Sequence, residues 1–105
     1  MEITLQYFDG CPNWMTTEQR LHELTDGRAD ITIQRQLVSS VEEAETLGFH
    51  GSPTVLIDGD DPFAEPDAPV GLACRVYRSG AGFAGSPTLE QLNDVIESRH
   101  RSASR

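Results

Sequence analysis

Gly51-Ser52-Pro53-Thr54-Val55-Leu56-Ile57-Asp58-Gly59 is the stretch on which the fold turns. A proline precedes a short apolar run and Asp58-Gly59 closes it, which reads as a strand of the sheet between two turns. Just upstream, Ser40-Val41-Glu42-Glu43 has capping-box spacing, Ser at the N-cap and Glu three residues on. Val41, Ala44 and Leu47 would then face inward on a short helix that Gly48 ends. Before it, Ile31 and Ile33 alternate in a strand polar enough for a sheet edge.

The N-terminal third repeats the strand-then-helix order. Ile3, Leu5 and Tyr7 alternate with Thr4, Gln6 and Phe8, a strand that Asp9-Gly10 breaks. Cys11 follows, then Pro12, suited to a first helical turn where its missing N–H costs nothing. Trp14, Thr17, Leu21 and Leu24 fall at helical spacing until Asp26-Gly27. From Asp58 onward, residues 58–71 are rich in proline and acid and read as a loop of about 14 residues, longer than usual hairpin connections. Leu72 to Arg78 reads as a fourth strand, with Cys74 and Val76 on one face, and Ser79 to Gly85 as a Gly-rich turn. Thr88-Leu89-Glu90-Gln91 opens a last helix with the stripe Leu89, Leu92, Val95 and Ile96.

The expected order is therefore β-α-β-α-β-β-α, an α/β domain over residues 1–99 with a polar, fraying tail at 100–105. The first two strands should be parallel and the last two antiparallel, in one mixed four-stranded sheet with helices on both faces.

Composition narrows the function. The 105 residues hold 17 acids and eight bases, a net charge of −9, which repels phosphate backbones and argues against nucleic acid as a partner. Every base is an arginine, so Schiff-base and P-loop lysine chemistry are excluded. No uninterrupted apolar run is longer than Val55-Leu56-Ile57, far short of the ~20 residues of a membrane span. The first eight residues lack a basic n-region and an apolar h-region, which points to the cytoplasm, where thiols stay reduced by default. Cys11 and Cys74 are too few for a disulfide scaffold and too far apart for a local zinc knuckle.

A strand, then Phe8-Asp9-Gly10-Cys11-Pro12 at a helix start, then Gly51-Ser52-Pro53-Thr54 leading a strand that ends in Asp58-Gly59, resembles the thioredoxin fold. The resemblance spans Glu2 to about Arg99, and more narrowly the chain looks like small single-domain thioredoxin-like proteins, some loosely labelled alkylmercury lyases. It implies a cis Pro53 packed beside an active-site Cys11. It also implies a binding surface of Pro12, Trp14, Ser52 and Pro53, with no cofactor and no metal. The departure is Cys11-Pro12-Asn13-Trp14: the family's second cysteine is absent, and Trp14 stands in its place.

Cys11 at a helix N-terminus is where the helix dipole favours a thiolate. Trp14 either walls a pocket at that thiol or begins the apolar stripe of the helix. Cys74 is the candidate second thiol. In an antiparallel fourth strand it would lie about four residues, or ~13 Å, from the Pro53 end, too far for a disulfide unless the register shifts or the 58–73 loop takes an unusual path, so a small buried hydrophobe is the better reading. His50 is a candidate base near the thiol, although a lone loop histidine is more often simply exposed. The acids Asp58, Asp60, Asp61, Glu65 and Asp67 lack the ligand alternation of a calcium loop and read as a solvated turn.

Three functions follow. In the first, Cys11 exchanges with a protein disulfide or a small thiol such as glutathione. In the second it captures a soft metal or an organomercurial, with Asp9 and Cys74 as the only helpers. In the third the groove beside Pro53 binds an extended peptide without chemistry.

Overall fold

The computed structural model describes residues 1–65, 69–79 and 82–103. Pro66 and Asp67 of the acidic loop, residues 80–81 of the Gly-rich turn and residues 104–105 of the tail lie outside them.

Three strands form the central sheet: β1 (Glu2–Tyr7), β2 (Thr32–Leu37) and β3 (Thr54–Ile57), in the order β2-β1-β3. β1 pairs parallel with β2, as the crossover through α1 (Asn13–Thr25) requires, and antiparallel with β3. The register sets Ile3 opposite Ile57 and Leu5 opposite Val55, so the alternate residues of both strands make one apolar face. Leu21 of α1 and Leu92 and Ile96 of α3 (Leu89–Ala103) cover that face and complete the buried core. Phe8, one residue past Tyr7 and so on the reverse face, packs instead with Val38, Ala44 and Phe49 around α2 (Val41–Leu47).

Local signals set the helix ends. Ser40 Oγ accepts from Glu43 N at 3.1 Å, and Gly48 closes α2 in the left-handed region. Thr88 and Gln91 cap α3 reciprocally, Gln91 N donating to Thr88 Oγ1 and Thr88 N to Gln91 Oε1. Two expectations about helices need correction. Only Ala44 of the α2 stripe is buried, Val41 and Leu47 being exposed, because a seven-residue helix reaches a core of just three buried side chains. The backbone of α3 also continues to Ala103, past the expected boundary at Arg99.

The larger correction concerns the fourth strand. No four-stranded sheet forms among the described residues. Tyr77–Ser79 (β4) and Gly82–Ala84 (β5) pair with each other as a separate antiparallel ribbon, with β5 in what reads as a turn in sequence. Residues 72–76, expected to run antiparallel to β3, lie beside its leading turn and run the same way: Cys74 bridges Ser52 in parallel. The long 58–73 connection makes this possible. It carries the chain back to the start of β3, where Gly71 N donates to Phe49 O, and only then lets it run forward.

Candidate functional site

Cys11 sits between the Asp9-Gly10 turn and Pro12, the N-cap of α1. The turn is closed by Cys11 N donating to Phe8 O at 3.3 Å. The first turn of α1 has no acidic residue and no side-chain cap, so the positive end of its dipole is unopposed next to Cys11. Ser52 O lies 3.6 Å from Cys11 Sγ. The Ser52–Pro53 peptide bond is cis, as the resemblance implied.

Cys11 is bonded to Cys74. Their Cα atoms are 5.8 Å apart, against the ~13 Å expected from an antiparallel strand, because residue 74 passes Ser52 instead of lying four residues beyond it. Two expectations fall with that distance. Cys11 is not a lone thiol, and Cys74 is not a buried hydrophobe. Burial is reversed as well: Cys11 is 0% exposed, whereas Cys74 is exposed at the lining of a groove of about 530 Å³.

The segment carrying Cys74 is held at several points. Ser52 N donates to Ala73 O and Arg75 N to Ser52 O, both at 2.8 Å. Arg75 is itself buried, and its guanidinium grips Asp61 with both Nη atoms, at 2.7 and 3.3 Å. The same group donates to Phe63 O and to Thr54 Oγ1. Tyr77 closes the arrangement, its hydroxyl donating to Pro53 O and its ring centroid lying 4.9 Å from the Arg75 guanidinium carbon. Burial pushes the Tyr77 phenol well above its ordinary range, partly opposed by the Arg75 charge and reinforced by Asp61. Gly51 admits this close approach. Its φ is +114°, and a Cβ there would stand 3.0 Å from Ala73 O and 3.1 Å from Arg75 Cβ.

Arg75 and Tyr77 were not singled out in sequence, and Asp61 was read only as one acid of a solvated turn. A signal was present: an arginine inside the otherwise apolar Leu72–Tyr77 stretch must find an acid if it is buried, and the 58–65 loop is full of acids. That loop is not simply solvated. Asp61 holds Arg75, Asp60 holds Arg99 at 2.7 Å, and Asp58 Oδ1 accepts from Glu2 N at 2.8 Å.

Trp14 stacks on Tyr7, ring centroids 4.4 Å apart, and takes the Arg35 guanidinium on its ring while packing against the main core. Pro12 is exposed, whereas Ser52 and Pro53 are fully buried and have no face open to a ligand. His50 lines the same groove as Cys74, its Nδ1 3.3 Å from Pro69 O. Asp9 is exposed. No described helix is long and apolar enough to cross a membrane.

No protein-family model, no curated protein and no solved structure matches this chain.

Proposed function

We propose that this protein is a thiol–disulfide exchange protein of thioredoxin-like type, in which Cys11 and Cys74 form the redox pair. One observation carries this reading: a sulfur at the unopposed N-terminus of α1 is bonded to a cysteine exposed at a groove. The first feature stabilises a thiolate at Cys11, and the second gives a partner thiol access to the bond. A disulfide in a chain expected to work among reduced thiols also fits a pair that cycles.

The partners are a protein disulfide or a small thiol such as glutathione. Two electrons pass in each cycle. Two partner thiols become a disulfide while Cys11 and Cys74 become thiols, and the reverse oxidises the pair. Exchange has better support than the two other readings. Soft-metal or organomercurial capture requires the pair to be reduced first. Peptide pairing beside Pro53 meets a Ser52 main chain already bonded to Ala73 and Arg75.

Incubating the native protein in graded mixtures of reduced and oxidised glutathione, followed by acid quench and mass measurement, tests the reading. Reversible interconversion of dithiol and disulfide at native circular dichroism supports it. A bond that glutathione opens only after denaturation marks a purely structural crosslink and rejects it.

A further inference from the structure

We infer, on the exchange reading above, that attack comes at Cys74 and that Cys11 is the leaving thiolate, with the buried Ser52 hydroxyl as the donor that receives its charge. Substitution at a disulfide sulfur requires the incoming thiolate to reach that sulfur from the side opposite the bond that breaks. Cys11 is 0% exposed, and Ser52 O lies 3.6 Å from its sulfur, so no external thiol reaches it. Cys74 is exposed on the groove wall and is open to approach. The roles are thus the reverse of those expected from the helix-start position alone.

Ser52 supplies the second observation. It is fully buried, and its Oγ has no hydrogen-bond partner among the described residues. A buried hydroxyl without a partner costs free energy and calls for a reason. Bridged residues on neighbouring strands project their side chains to the same face, and Ser52 is the bridge partner of Cys74. The hydroxyl therefore shares the face from which Cys74 reaches Cys11 Sγ. In the disulfide that sulfur carries no charge. Once the bond opens, the thiolate needs a donor, because burial disfavours its charge, and the Ser52 O–H and the α1 N-terminus oppose that penalty.

The step balances. A glutathione thiolate attacks Cys74 Sγ, the new bond joins glutathione sulfur to Cys74, and the Cys74–Cys11 bond breaks with its electron pair leaving on Cys11. A second glutathione thiolate then attacks the glutathione sulfur of the mixed disulfide, releasing oxidised glutathione and the Cys74 thiolate. Of the two protons lost by the glutathione thiols, one ends on Cys74; the other passes to solvent while Cys11 remains a thiolate, or to Cys11 once it is protonated.

The test maps the adduct. Oxidised wild-type protein is exposed briefly to reduced glutathione, acid-quenched and digested, and the mixed disulfide is expected on Cys74. Glutathione on Cys11 overturns the assignment. In parallel, Cys11→Ser and Cys74→Ser proteins, checked for native circular dichroism, are reacted with an aromatic disulfide reagent. The Cys74 thiol of the first should react at least about tenfold faster than the Cys11 thiol of the second, and equal or reversed rates overturn the proposal. Ser52→Ala should slow reduction of the wild-type bond by roughly tenfold, the scale of one hydrogen bond to a charged group. It should also lower thiolate absorbance near 240 nm in the reduced protein, with thermal stability kept. Unchanged rate and absorbance remove Ser52 from the step. Absence of any adduct in the native protein, with ready reaction after unfolding, rejects the exchange reading itself.

Discussion

Arg75 and Asp61 form a two-pronged ion pair with side chains only 9% and 12% exposed, tying the residue after Cys74 to the beginning of the 58–73 connection. Two charges withdrawn from water are tolerated there because the guanidinium also donates to Phe63 O and Thr54 Oγ1. The pair anchors the backbone next to Cys74 beside the start of β3.

Asp61→Asn leaves the buried guanidinium without its counter-charge. It is expected to cost roughly 3 kcal/mol of stability, within the range for breaking a buried pair from one side. It should also shift the glutathione equilibrium of the Cys11–Cys74 bond toward the dithiol, because Cys74 is no longer held in place. Urea unfolding and redox titration of the same variant read the two effects. An unchanged equilibrium would show that the ion pair does not position Cys74.

Reduction is expected to destabilise the protein strongly. The bond spans 63 residues, and closing a loop of that length removes unfolded-state entropy worth about 4 kcal/mol in the chain-entropy view. Thermal unfolding with and without a phosphine reductant measures it, and Cys74→Ser should match the reduced wild type.

Tyr77 gives the stability an alkaline limit. Burial raises the folded-state affinity of the phenol for its proton above that of the unfolded chain, whose tyrosines titrate near ~10. Stability from the neutral phenol is thus complete below that unfolded value and is lost as pH rises beyond it, by about 1.4 kcal/mol per pH unit. Urea unfolding between neutral pH and pH ~11 should show the decline, and Tyr77→Phe should flatten it. The same substitution also loses the hydrogen bond to Pro53 O, so its stability at neutral pH should be lower.

Trp14→Ala separates the two readings of that side chain. Its contacts with Tyr7, Arg35 and the main core lead us to expect a loss of about 2–3 kcal/mol in stability. The rate at which glutathione reduces the protein at temperatures where the variant stays folded should not change. A large change in that rate would place Trp14 in the wall of the reactive site.

What could be read from the residues was local. β1 and α1 are visible because the Ile3, Leu5, Tyr7 alternation and the Trp14, Thr17, Leu21, Leu24 spacing each match one period, and Ser40 and Thr88 mark helix starts through bonds within three residues. The parallel β1–β2 pairing followed from the intervening helix, and Cys11 was conspicuous because a helix begins beside it.

The partner of Cys11 was a matter for the tertiary structure alone. Leu72–Arg78 reads as a strand in any direction, since alternation carries no information about which neighbour it meets or which way it runs. That direction depends on where the preceding connection returns the chain, and contacts distant in sequence decide it: Gly71 with Phe49, Ala73 and Arg75 with Ser52, and Arg75 with Asp61. Running parallel past Ser52 rather than antiparallel from the far end of β3 brings Cys74 within bonding distance of Cys11 and leaves it at the surface. Pairing and exposure of the two sulfurs are properties of that path through space, and no spacing of residues along the chain encodes it.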